Sequence, residues 1–325
     1  MKTNQNIRRL IYLCVLLLIA ILGYSLYRPK HIDTYEKRFT FISPLQWNNI
    51  AAGIKAADKD FHTNTKLVGT DSLDLQKQVT AIKEAILSKP DGIITAASED
   101  SEQLREVLHL AASEGIPVVL VDSDLPDSDR ICYIGTDNLT AGRMAGEDMF
   151  HAIDGKAYIG VIVSDLESPN QKERLEGFQE QIRQYEDMEI LEILECHSDR
   201  LELMEKIPKM LEQYPQMNAL YLTEAFASVM AGTIIQDVPF SSRELIVVAF
   251  DNLNETQNFL DDGTYDSLIC QSPYAQGYLA VEALCRILDG ENQDEIVYTE
   301  TLSMKQGDSI KQTDHKSEEF EWHLY

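Results

Sequence analysis

The chain has 325 residues and a net charge of −26, from 54 acidic residues against 28 basic ones. That length exceeds one ordinary core and predicts two domains. The charge argues against a nucleic-acid partner, which would need clustered Lys and Arg to meet phosphate. The five cysteines, Cys14, Cys132, Cys196, Cys270 and Cys285, form no CxxC pair and have no His at zinc-ligand spacing. They read as small buried hydrophobes, and no metal is expected.

Leu10–Leu26 is almost uninterruptedly apolar, preceded by Lys2, Arg8 and Arg9 and closed by Arg28-Pro-Lys30. At ~1.5 Å per residue it approaches the lower length limit for spanning a bilayer. The preceding positive residues place the N-terminus in the cytoplasm and the remainder outside the cell. A cleaved signal peptide is the rival reading, but its apolar region would usually be shorter and no small-x-small site follows. The expectation is a single-pass cell-membrane protein with an extracytoplasmic domain, residues 1–30 being the cytoplasmic tip and transmembrane anchor.

Strand and helix patterns then alternate. Strands are predicted at 38–43, 65–69, 92–96, 117–122 and 131–135, with helices at 47–60, 75–87 and 101–114 between the earlier ones. A second set begins after a helix at 138–151. Its strands fall at 157–163, 190–196, 219–222, 245–250 and 265–271, and its helices at 171–185, 201–214, 226–236 and 255–260. A helix at 275–288 and a last strand at 296–302 follow, and the polar tail 313–325 carries no core pattern. Such alternation requires mostly parallel sheets with right-handed crossovers.

Ile116-Pro-Val-Val-Leu-Val-Asp122 and Leu245-Ile-Val-Val-Ala-Phe-Asp251 read as strands buried on both faces, each ending in a carboxylate. Ligands of open α/β sheets sit outside the carboxyl ends of the strands. One such carboxylate in each half predicts two sheets facing a shared cleft. No Gly-x-Gly-x-x-Gly follows a strand and no Gly-x-x-x-x-Gly-Lys-Ser/Thr loop exists, so no nucleotide cofactor is expected. No catalytic constellation can be assembled, and the chain reads as a binding protein, not an enzyme.

Ser43-Pro-Leu-Gln-Trp47, Ile134-Gly-Thr-Asp-Asn138 with Ala141-Gly142, Arg174-Leu-Glu-Gly-Phe178, Val247-Val-Ala-Phe-Asp-Asn252 and Ile269-Cys-Gln-Ser272 occur in this order. Together they resemble the ribose/galactose class of periplasmic sugar-binding proteins, whose type I fold is shared with LacI-type repressor cores. The resemblance implies two Rossmann-like α/β lobes with parallel sheets, joined by a three-stranded hinge near Asp137, Gln271 and Ile296. One lobe would comprise 33–136 with 272–295, the other 137–271 with 296–312. It also implies a ligand site of Trp47, Asp122, Arg174, Glu224, Asp251 and Gln271, with Ser43, Ser123 and Asn170 beside them. Charged, planar groups of this kind suit vicinal hydroxyls, and an aromatic ring suits the apolar face of a sugar.

Each residue has a plainer alternative. Trp47 could simply pack on the sheet, Asp122 and Asp251 cap turns, and Arg174 be a solvated helix charge. Gln271 could serve hinge backbone, and Glu224 a helix N-terminus. The sequence also departs from the family's ribose binders. Asp122-Ser123 stands where they carry Asp-Arg, Thr223-Glu224 where they have Asn, and Ser198 where they place an aromatic. A different neutral or amine-bearing sugar or polyol is therefore expected. The implied partners are this small ligand and a membrane permease of the ABC type. A membrane histidine kinase is the alternative, and a LacI-type regulator would lack its DNA-binding head.

Overall fold

The computed structural model describes residues 37–44, 47–70, 74–237 and 245–308. The apolar stretch 10–26 and the tail 313–325 lie outside these residues. Among the described residues, no helix is long and apolar enough to cross a membrane.

The first sheet contains β1 (Lys37–Pro44), β2 (Thr63–Thr70), β3 (Gly92–Thr95), β4 (Val118–Val121), β5 (Cys132–Gly135) and β11 (Ile296–Tyr298). The second contains β6 (Ala157–Val163), β7 (Met188–Glu195), β8 (Ala219–Leu222), β9 (Ile246–Phe250), β10 (Ser267–Cys270) and β12 (Leu302–Lys305). Their orders, β11-β5-β4-β3-β1-β2 and β12-β10-β9-β8-β6-β7, are the same arrangement repeated. All pairings are parallel except β12, which runs antiparallel to β10.

Strand residues alternate between two cores in each lobe, the period-2 consequence of the pleat. In β4, Val118 and Leu120 face α2 (Leu75–Leu87) and α3 (Glu102–Ser113). Val119 and Val121 face α1 (Asn48–Phe61) and α9 (Pro273–Leu288). In β9, Val248 and Phe250 face α4 (Asn138–Ala152) and α5 (Pro169–Ile182). Val247 and Ala249 face α6 (Arg200–Gln213), α7 (Ala225–Asp237) and α8 (Asn254–Asp261). Both faces are covered, so these strands carry unbroken apolar runs.

The chain passes between the lobes three times: after β5, after β10 and between β11 and β12. The third passage corrects the expectation at Ile296. Residues 296–298 pair with β5 in the first sheet, and Thr299 still donates its N–H to the Gly135 carbonyl at 2.7 Å. The crossing therefore lies at Thr299–Thr301, and the predicted strand 296–302 is split between the two lobes. Only from Leu302 does the chain join the second lobe, where Met304 enters the core.

The helices α4 and α5 approach closely through two glycines. A Cβ on Gly142 would lie 2.1 Å from the Arg174 carbonyl oxygen, and one on Gly177 2.0 Å from that of Leu139. Backbone cannot retreat from such a contact without separating the helices. This crossing sets the height of Arg174 above the second sheet. Gly142→Ala is expected to lower unfolding stability by about 1–3 kcal/mol, read as a lower urea midpoint at unchanged slope; an unchanged midpoint would refute this packing.

Candidate ligand-binding site

The site lies at the carboxyl ends of the strands, where the two lobes and their crossings meet. Arg174 is 1% exposed, although an arginine is almost never fully buried unless its donors are matched. Its Nε donates to Asn138 Oδ1 at 2.9 Å, Nη1 to the Thr223 carbonyl at 2.8 Å and Nη2 to Gln271 Oε1 at 3.3 Å. The guanidinium sits 4.2 Å above the centroid of the Phe250 ring, a cation–π contact from the end of β9. These partners are all neutral.

Asp122 and Asp251 follow β4 and β9 directly, and both have left-handed backbone, with φ of 63° and 70°. Asp tolerates that region better than most residues, and such conformations concentrate at functional positions. Asp122 accepts a hydrogen bond from Asn170 Nδ2 at 2.9 Å, and Asp251 one from Gln271 Nε2 at 3.2 Å. Gln271 also accepts from Thr136 Oγ1 at 2.9 Å, so its amide ties the first crossing to the second and joins Arg174 to Asp251.

Contacts also span the cleft directly. The N-terminal end of α5, in the second lobe, reaches the first lobe, where Asn170 N–H donates to Ser123 Oγ at 3.3 Å. Ser168 Oγ donates to the Ser98 carbonyl at 3.1 Å. The lobes are thus closed on one another.

Electrostatics set the two aspartates apart from surface carboxylates. Burial pushes Asp122 up to about 6, and the neighbouring Asp251 adds to this, while Arg174 and the Asn170 hydrogen bond pull the other way. Burial raises Asp251 too, against Arg174 and Gln271. Glu224 is also raised by burial.

Seven sequence-derived positions can thus be followed into one place. Asp122, Ser123 and Asn170 form one hydrogen-bonded set and Arg174, Asp251 and Gln271 another, and the charges of Arg174 and Asp251 act on Asp122 between them. Glu224 lies alongside but has a capping role: its carboxylate accepts N–H bonds from Phe226 and Ala227, both at 2.9 Å, and the Ser198 hydroxyl at 3.3 Å. The plainer alternative for this residue therefore holds in the structure. Asp137 likewise caps α4 through Thr140 N at 3.0 Å. Trp47 is half-buried at the start of α1 and packs against the core below it. Ser43 is buried at the end of β1, its hydroxyl donating to the Pro44 carbonyl at 3.2 Å. The plainer alternative for Arg174, a solvated helix charge, does not hold, because that side chain is enclosed.

Asn138, Thr136 and the Thr223 carbonyl were missed as site groups. Asn138 and Thr136 belong to the Gly-Thr-Asp-Asn run that resembles the family's first crossover, and nothing in the sequence marks Asn138 as the partner of Arg174, 36 residues away. Cys132, Cys196, Cys270 and Cys285 are free and buried. Among the described residues, no cluster of His, Cys, Asp or Glu could hold a metal ion.

A family profile described as a periplasmic binding protein domain matches residues 41–292. The chain belongs to that family. Among curated relatives, the ribose import binding protein RbsB of Escherichia coli is 24% identical over 241 residues, 73% of this chain and 78% of that protein. GanP, a glucose-galactose binding protein from Geobacillus stearothermophilus, superposes with a TM-score of 0.79 at 30% identity, covering 83% of this chain and 97% of GanP. An ABC transporter solute-binding protein from Burkholderia graminis, solved with D-arabinose, gives 0.80 at 25% identity, covering 84% and 96%. Family membership accounts for the pair of parallel-sheet lobes.

The elevated Asp122 has a defined consequence. Its value when unfolded is near 3.8, so between that pH and about 6 the folded state holds the extra proton. The stability of the ligand-free protein should fall as pH rises through this window and level off above it. Asp122→Asn removes the titrating group and suits the positive φ. The variant is expected to be about 1–3 kcal/mol more stable than the native chain at pH 8, with the gain vanishing toward pH 4. Denaturant melts across that range check it; parallel stability curves would contradict the burial of this carboxylate.

Proposed function

We propose that this protein is an extracytoplasmic solute-binding protein that closes two lobes around a small carbohydrate and delivers it to an ABC-type transporter. The observation carrying the reading is the convergence of Asp122 from the first lobe, Arg174 and Asp251 from the second, and Gln271 from a crossing. Such a group offers carboxylate acceptors and amide donors at fixed spacing, the chemistry that fits adjacent sugar hydroxyls. Nothing in the arrangement calls for a chemical step, and the relatives are binding proteins by name.

The ribose, glucose-galactose and D-arabinose named for those relatives favour a monosaccharide-sized ligand here. Their association with import and ABC transport favours delivery over signalling to a histidine kinase. The apolar stretch Leu10–Leu26, with its preceding Lys2, Arg8 and Arg9, supports tethering of the domain to the outer face of the cell membrane. A tethered receptor stays near its permease at high effective concentration.

A thermal-shift screen of the purified domain against pentoses, hexoses, polyols and amino sugars tests the reading. A true ligand at 100 times its dissociation constant should add about 2.7 kcal/mol of stability. Asp251→Ala should remove that shift while the variant still unfolds cooperatively. No shift with any carbohydrate, or a full shift in the variant, would count against the assignment.

A further inference from the structure

The charges around the cleft do not balance. Asp251 is close enough to Asp122 and to Glu224 to raise the proton affinity of both. Against these three carboxylates the described residues set one buried cation, Arg174. Two helix N-termini help. That of α7 donates N–H groups to Glu224, and that of α5 lies beside Asp122, with the Asn170 N–H on Ser123 and the Asn170 side-chain amide on Asp122. Each is equivalent to roughly half a positive charge. About one negative charge is left without compensation. Glu173, half-buried next to Arg174 and also raised by burial, deepens the deficit from the hinge side.

The hydrogen bonding points the same way. Arg174 gives its bonds to Asn138, Thr223 and Gln271, all neutral, and forms none with either aspartate. Among the described bonds, Asp122 and Asp251 each receive a single side-chain amide N–H. An ionised carboxylate offers about four acceptor sites, so most of each is left for the ligand. Sugar hydroxyls can fill those sites but cannot cancel charge. An ammonium supplies three donors and one positive charge at a point, which would neutralise these half-buried carboxylates.

We infer that the ligand for which this cleft is built carries a protonated amine on a polyhydroxylated frame: an aminodeoxy sugar or an amino polyol. The amine lies between Asp122 and Asp251, while the remaining hydroxyls take Arg174, Asn170 and Gln271. This rests on the carbohydrate reading and narrows it.

Isothermal titration of the native domain at pH 7 with matched compounds tests the inference: galactose, galactosamine and N-acetylgalactosamine; glucose, glucosamine and N-acetylglucosamine; and sorbitol with 1-amino-1-deoxysorbitol. The expected result is at least one amine bound tenfold or more tightly than its neutral counterpart, with its N-acetyl form, where included, no better than neutral. Asp122→Asn should lose more affinity for that amine than for the neutral compound. A neutral sugar binding as tightly as its amine would overturn the inference and leave the carbohydrate reading standing. No binding by any of these compounds, nor by pentoses, would overturn both.

Discussion

One buried guanidinium organises the cleft. Arg174 lies in the second lobe, yet its hydrogen bonds reach the start of α4, the end of β8 and the crossing after β10. A buried charge persists only when its donors are matched, because the cost of removing it from water is several kcal/mol. Three neutral acceptors and the face of Phe250 supply that match. The glycine-mediated crossing of α4 and α5 holds the backbone beneath it, with the Arg174 carbonyl against Gly142. Because Gln271 is shared with Thr136 and Asp251, any shift in Arg174 is felt at once by the hinge and by the second lobe's carboxylate.

Closure is a contest between two terms of comparable size. Favouring it are Ser168 against Ser98 and Asn170 against both Asp122 and Ser123, a handful of bonds worth about 0.5–1.5 kcal/mol each. Opposing it are the burial of both aspartates, which raises each, and the confinement of Asp122 beside Asp251, which raises Asp122 further. A ligand that satisfies those carboxylates removes the opposing term and leaves the favourable one. It therefore binds the closed state better than the open one, which is the only way a ligand can shift such an equilibrium.

Much of this was legible in the sequence because it is local. Val118–Val121 and Ile246–Phe250 are apolar at every position, which only a sheet covered on both faces explains, and each runs into an aspartate at the end that faces the cleft. What escaped depends on partners far along the chain. The fate of Ile296 was set by pairing with β5, more than a hundred and fifty residues earlier, and apolar runs carry no information about which sheet they join. Glu224 resembled a ligand group because it follows a strand; only the geometry of α7 reveals that its oxygens serve the helix. Asn138 reads in the sequence only as the first residue of a helix, because its role exists only once Arg174 is brought beside it.

Small-angle X-ray scattering of the ligand-free and ligand-saturated domain tests the central claim, that occupancy of the Arg174 cleft and lobe closure are one event. The account predicts a smaller radius of gyration on saturation and a curve matching the closed arrangement described here. Superimposable curves before and after proven saturation, with the free protein more open than this structure, would contradict it.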